Sequence, residues 1–287
     1  RIIALFRRSG AERGRLAFLS PDQIGVPRLD WQGPSPRRTT LMSRTPVHAR
    51  ERSMQTDAEK LITARFETVL YDLDGTLIDS AKDMQLAVSN VLADHGLPPV
   101  TEDDVRIFMG QGSKVTMGKA FAKHGRSLDD EALTAATREF VRYYEADPIS
   151  HTTAFAGVAE VVAGFAGLGL KQGVCTNKFE TPSRMILEHL KLMPPISDVA
   201  GADSFPVRKP DPRHILMLLE RMGGDPRRAV MIGDSIHDAE AARGAGIPAV
   251  LVSWGYTAKP ASELGADAVI DRFDALPEAL ARLASAR

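Results

Sequence analysis

The chain has 287 residues, with 36 Lys+Arg against 37 Asp+Glu and a formal net charge of -1. Apolar residues make up 44% and charged residues 25%, a balance that excludes a disordered chain, a fibrous repeat and a cationic nucleic-acid wrapper. A single cysteine, Cys175, excludes an internal disulfide and a zinc cage built from thiolates.

Residues 1–60 differ from the rest. They carry twelve Lys+Arg, six Asp+Glu and five prolines, and show no sustained helical or strand period. The segment is +6, which leaves about -7 for the remainder. Such a stretch cannot bury enough apolar area to offset its ordering entropy. Three readings compete: a non-native or mis-started extension with Met42 or Met54 as the start, a transit peptide, or a disordered arm for anionic partners. The extension is expected to run over 1–62 and to lie outside the folded unit. Its longest clean apolar run, Ile2–Phe6, is too short for a signal segment or a membrane span. The chain reads as a soluble protein of a reducing, cytoplasmic compartment.

From residue 66 the pattern alternates. Val69–Asp72 is a short apolar strand run. Ser80–His95 has apolar residues at helical spacing and is stopped by Gly96 and Pro98. Thr101 with Asp104 has the spacing of a capping box, and Ser113–His124 and Leu128–Ala146 also predict helices. Roughly 80–150 is therefore helical, with no strand signal. Beyond Pro148, helices are expected over Val158–Leu168, Pro182–Leu190, Pro212–Met222, Ala239–Ala245 and Asp274–Ala284. Strands are expected at Gly173–Cys175, Ala229–Ile232, Ala249–Val252 and Ala268–Ile270. Alternating strands and helices imply an α/β fold with a mostly parallel sheet covered on both faces. In such sheets ligands bind outside the carboxyl ends of the strands.

Those ends carry the chemistry-bearing residues. Asp72 and Asp74, two apart on extended chain, can face one site. Gly75 and Thr76 follow, a tight turn whose amides are available to an anion. Thr176, Asn177 and Lys178 follow the second strand. Lys209, Pro210 and Asp211 precede a helix, and Gly233, Asp234, Ser235 and Asp238 follow the Ala229–Ile232 strand. Phosphoryl transfer suits this set. One carboxylate can attack phosphorus, and a second can protonate the leaving oxygen and then activate water. Carboxylates from two strands give the oxygen shell Mg²⁺ prefers, and lysine, hydroxyl and amide groups neutralise the equatorial oxygens. Bland roles compete with these: Asp72 and Asp74 as turn formers, Asp234 as a helix cap, Asp238 as a partner of a helix dipole. Cys175 reads as a core residue, and Lys178 as either rim or surface. Asp79 and Ser80 are either a hinge or a helix cap.

Asp72-Leu73-Asp74-Gly75-Thr76, Thr176-Asn177-Lys178, Lys209-Pro210-Asp211-Pro212 and Gly233-Asp234-Ser235 with Asp238, in that order, resemble the four motifs of the haloacid dehalogenase superfamily. The resemblance covers about residues 66–287. It implies a Rossmann-like core over 63–80 and 151–287, with a helical cap inserted over 81–150. It also implies Asp72 as nucleophile, Asp74 as general acid/base, and Thr176, Asn177 and Lys209 as holders of the phosphoryl group. Mg²⁺ would be bound by Asp72, the main-chain carbonyl of Asp74, and Asp234, with Asp238 in support directly or by orienting Lys209 or a metal-bound water.

Trp254-Gly255-Tyr256 and, in the cap, Gly110-Gln111-Gly112 after Arg106 look like the phosphoglycolate phosphatase subgroup. That likeness implies hydrolysis of 2-phosphoglycolate, with Arg106, Gly110 and Gly112 meeting the distal end of the substrate. The partner is then a small phosphorylated metabolite, with no nucleic acid and no membrane, and the enzyme a monomer or homodimer. A phosphomutase, a pyrophosphatase or another phosphatase of the same fold is the alternative, and a regulatory protein without turnover a more distant one.

Overall fold

The computed structural model of the chain describes residues 56–257 and 259–286. The expectations for residues 1–55 lie outside the described residues. Residues 57–62 do not behave as an unstructured extension. They open helix α1 (Asp57–Arg65), whose Thr56 and Glu59 form a capping box and whose Ile62 is fully buried. This helix packs against the C-terminal helix α10 (Leu276–Ser285). It presents one buried apolar residue, too little for a visible period within an arginine-rich stretch.

Strand β1 (Thr68–Tyr71) is buried along its whole length, the mark of a central strand covered on both faces. On one side it pairs with β4 (Lys171–Cys175), which pairs with β5 (Asp198–Ala200). On the other it pairs with β6 (Ala229–Gly233), followed by β7 (Ala249–Val252) and β8 (Ala268–Ile270). All five pairings are parallel, giving the order β5-β4-β1-β6-β7-β8. The chain order reverses at β1, so the crevice above β1 is the topological switch point. Strand alternation sorts the core: Val69 and Tyr71 join the larger apolar cluster on one face, and Leu70 joins Cys175 and Met231 on the other. Helices α6 (Val158–Gly167), α7 (Glu180–His189), α8 (Pro212–Arg221) and α9 (Ile236–Ala245) complete the layers. The edge strand β5 is three residues long and was not evident in the sequence. The C-terminal helix begins at Leu276, after a 3₁₀ turn over Phe273–Ala275, slightly later than expected.

Between β1 and β4 the chain inserts a helical cap: α2 (Ala81–Asp94), α3 (Glu102–Phe108), α4 (Ser113–Lys123) and α5 (Asp130–Ala146). The Thr101–Asp104 capping box is present at α3. The four helices share their own apolar cluster, with Val88, Leu92, Met117 and Phe121 fully buried. The two chain crossings between core and cap are stitched by a pair absent from the sequence reading, β2 (Ile78–Asp79) antiparallel to β3 (Thr153–Ala154). Two residues per strand leave no period to read. Among the described residues, no helix is long and apolar enough to cross a membrane.

Candidate active site

The register of the sheet assembles the site. Tyr71 lies opposite Val174 on one neighbour and Ile232 on the other, so Asp72, Thr176 and Asp234 emerge at nearly one level. Asp72 extends the ladder by donating its amide to the Ile232 carbonyl at 2.8 Å. Its carboxylate accepts from the Leu73 amide at 2.7 Å and lies 3.0 Å from Lys209 Nζ. Burial pushes the Asp72 carboxyl up to about 6; Lys209 pulls it down and the Asp238 charge pushes it up.

Lys209 is buried, its side chain 1% exposed, and donates to Asp238 Oδ1 at 2.5 Å. Burial disfavours its charge, but Asp238 and Asp72 outweigh burial and hold its pKa above the ordinary lysine value. Asp238 is saturated: its Oδ2 accepts from the amides of Asp234 and Ser235 and from the Ser235 hydroxyl. It therefore caps α9 and orients Lys209 at once.

Asp72, Asp234 and Asp238 each offer an oxygen within 4.8 Å of the others. Burial, and then the charges of Asp238 and Asp72, raise the Asp234 carboxyl well above its usual value. Buried carboxylates that repel one another, with oxygens as the only donors, fit a hard divalent cation such as Mg²⁺. Asp234 Oδ2 accepts from the Tyr256 amide at 2.6 Å, and both Asp238 oxygens are already engaged. Asp72 and Asp234 are thus the carboxylates with capacity left for a metal. The Asp74 carboxylate stands outside this group.

Asp74 instead accepts from Ser80 Oγ at 2.5 Å and from Lys178 Nζ at 3.0 and 3.1 Å. The turn after it is tight because residue 75 is glycine: φ is 80°, and an added Cβ would stand 2.3 Å from Asp234 Oδ2. Its amides do not reach outward as expected, since Gly75 donates to the Ile78 carbonyl and Thr76 to the Leu73 carbonyl.

Lys178, undecided on sequence alone, lies inside the site. Its side chain is 7% exposed, and its ammonium stands 4.3 Å from the ring centroid of cap Tyr144. Burial opposes its charge, yet Asp74 and Tyr144 together outweigh burial and raise its pKa above the ordinary value. Thr176 Oγ1 accepts from the Lys178 amide at 3.2 Å. Asn177 donates its side-chain amide to the main-chain carbonyls of Lys209 (3.1 Å) and of Gly110 in the cap (3.4 Å). Its Oδ1 is buried with no partner among the described residues.

A cavity of about 100 Å³ lies over these groups. Asp72, Asp74, Thr176, Asn177 and Lys178 line its core side, while Met84, Met109, Phe140 and Tyr144 line the cap side. Gly110 and Gly112 line it. Arg106 does not. It donates to Asp79 at 2.7 Å and lies 5.9 Å from the ring centroid of Tyr256, because Asp79 at the hinge offers the nearest carboxylate. Tyr256, passed over as a site residue, joins the hinge to the metal-type group: its hydroxyl donates to Asp79 at 2.5 Å and accepts from the Ser80 amide. Asp79 also accepts from the Ala81 amide at the start of α2, and it ends β2 where the chain passes into the cap.

These features agree with what the chain is similar to. A family model for haloacid dehalogenase-like hydrolases matches residues 69–252, more than half of the chain. A phosphoglycolate phosphatase of Caulobacter vibrioides is 44% identical over 212 residues, covering 74% of this chain and 90% of its own. One from Agrobacterium fabrum is 39% identical over 211 residues, covering 74% and 91%. Among solved structures, a predicted phosphoglycolate phosphatase from Haemophilus somnus superposes with a TM-score of 0.70 at 27% identity, over 75% of this chain and 98% of that one. The chain belongs to the haloacid dehalogenase-like hydrolase family. It is an enzyme of that family, with phosphatases as relatives.

Proposed function

We propose that the enzyme is a Mg²⁺-dependent phosphomonoesterase that hydrolyses 2-phosphoglycolate to glycolate and phosphate, in the cytoplasm, through an aspartyl-phosphate on Asp72. The observation that carries this reading is the meeting of Asp72, Asp74, Lys209 and Asp234 at the switch point of the sheet, beneath a closed cap. The substrate name rests on the relatives.

In the first half-reaction, Asp72 attacks phosphorus and the ester P–O bond breaks. The leaving glycolate oxygen takes a proton from Asp74. In the second, Asp74 takes a proton from water as that water attacks phosphorus. The P–O bond to Asp72 breaks, and phosphate leaves with the starting carboxylate restored. Lys209, fixed by Asp238, and the Thr176 hydroxyl face the charge on the transferring group. Asp72 and Asp234, with the Asp74 carbonyl and with Asp238 in support, would hold a Mg²⁺ ion that supplies charge neutralisation. The apolar cap wall excludes water that would otherwise screen these contacts.

The test is phosphate release from 2-phosphoglycolate with Mg²⁺, beside sugar phosphates, nucleotides and pyrophosphate, with Asp72→Asn in parallel. Preference for 2-phosphoglycolate, lost in the variant, is the expected result. Preference for pyrophosphate, or dependence on a phosphorylated sugar activator, would replace this reading with the pyrophosphatase or the mutase. No turnover of any member, even an aryl phosphate, would sink it.

A further inference from the structure

The charges around the cavity leave one cation unassigned. Lys209 is committed to Asp72 and Asp238, and Lys178 to Asp74. Arg208 also lines the cavity, yet among the described residues its guanidinium has no carboxylate partner and no side-chain hydrogen bond. It stands against the cap. At Gly112, where a φ of 90° favours glycine, the position of an added Cβ would lie 2.9 Å from Arg208 Nη1, so the guanidinium packs directly against the loop. Asn177 ties the same loop, through the Gly110 carbonyl, to the carbonyl of Lys209, the residue after Arg208. The loop, Asn177 and Arg208 thus form one wall beside the groups that face phosphorus. On the cap side, the cavity-lining acid is Glu145, which disfavours an anion near it.

We infer that Arg208 is the specificity-determining residue of this enzyme, receiving the carboxylate at the far end of a short phosphate ester against the Gly110–Gly112 loop. The inference rests on the substrate reading above and adds the group that selects it. A guanidinium offers a planar fork that matches a carboxylate, which an apolar cap wall cannot supply. It also gives the Gly110–Gly112 loop a role in recognition while moving the positive charge from Arg106, which the hinge consumes, to the core loop before Lys209.

The experiment compares kcat/KM for 2-phosphoglycolate and for ethyl phosphate, which has the same carbon count without the carboxylate. It uses the wild type, Arg208→Met and Arg208→Lys. The wild type should favour the acid. Arg208→Met should cut that preference by about ten- to a hundredfold, the range for losing a charge-assisted hydrogen bond, mainly through KM for the acid. Arg208→Lys should restore part of it. Equal losses on both substrates, or an unchanged preference, would overturn the inference while leaving the substrate reading intact. A wild type with no preference for the acid would defeat the substrate reading itself, and the inference with it, before any variant is compared.

Discussion

The core side and the cap side of the cavity are built from opposite materials. The core side is ionic: Asp72, Asp74, Asp234 and Lys178 line it in contact with Lys209 and Asp238, each of these held by at least one main-chain or side-chain partner, and Arg208 stands beside them. The cap side is mostly apolar, with Met84, Met109, Phe140 and Tyr144 belonging to a cluster separate from those that flank the sheet. Polar contacts that join them include Arg106 with Asp79, Tyr256 with Asp79 and Ser80, Asn177 with Gly110, Lys178 beneath Tyr144, and, away from the cavity, Asp83 of α2 with His151 and Thr152. Asp72 and Asp234 follow strand ends whose positions the sheet dictates. The cap can therefore change its walls without moving these carboxylates.

The strongest way to break that division is to remove Asp72, the proposed nucleophile. Asp72→Asn should cut phosphate release by at least about 10⁴-fold, since the proposed reaction passes through a covalent bond to this carboxylate. Its fold should survive. Asp72 is raised to about 6 by burial, so its contribution to stability is present at low pH and is lost as pH rises through that value. The metal-free variant should unfold at the same temperature as the wild type or higher at pH 7, as calorimetry would show. A lower unfolding temperature would mean that Asp72 holds the fold as well as the chemistry.

Lys178→Met comes next. If Lys178 works by orienting Asp74, its loss should depend on the leaving group. In the proposed mechanism an alkoxide needs a proton from Asp74, whereas p-nitrophenolate leaves unaided. A fall in kcat of about 100-fold on 2-phosphoglycolate, with a much smaller fall on the aryl phosphate, is the expected pattern. Equal falls on both would make Lys178 a structural cation.

These two residues also mark how far the sequence could be read. Asp72 was legible because everything that defines it is local: a short apolar run, then Asp-x-Asp-Gly-Thr. The same holds for Lys209 and Asp234, and the sheet register then brought together segments that the sequence kept apart. Lys178 was ambiguous because its environment is tertiary. Asp74 lies 104 residues away in sequence, and Tyr144 comes from the cap. Arg106 was misplaced for a related reason: its partner Asp79 stands on β2, a strand of two residues with no periodicity. In α1 the signal was a single buried residue, Ile62, set in a strongly charged stretch.

A third variant probes the core away from the acidic cluster. His214 on α8 is fully buried, with Nε2 3.1 Å from the Gly201 carbonyl oxygen and Nδ1 3.5 Å from Cys175 Sγ. Burial, reinforced by the Lys209 charge, lowers it from 6.5 to about 4. Between those values the unfolded chain binds more protons than the folded one, so stability falls as pH drops. The part due to neutral His214, on the order of 3 kcal/mol, is present above about 6.5 and gone below about 4. Asp72 works in the opposite sense over part of this window, so the comparison must be made between variants. Urea unfolding from pH 7 to pH 4 should show a flatter decline for His214→Gln than for the wild type, and an identical decline would refute the assignment.

The smallest effect should come from the contact that joins the two sides. Tyr256→Phe keeps the ring under Arg106 and the main-chain amide on Asp234, and removes only the hydroxyl. The Asp79 carboxylate then loses a donor and the Ser80 amide an acceptor. The site is partly exposed and Asp79 keeps Arg106, so the cost should be about 1 kcal/mol, below the usual range for a hydrogen bond to a charged group. Because these groups sit at the hinge and not on phosphorus, that cost should fall on cap closure. KM for 2-phosphoglycolate should rise a few-fold while the pH dependence of kcat stays in place. Arg106→Met should act on the same closure, and because both residues meet at Asp79, the double variant should lose less than the product of the two single losses. Full multiplicativity would mean that the two contacts act independently, and that the hinge is not the joint through which the cap side meets the ionic core.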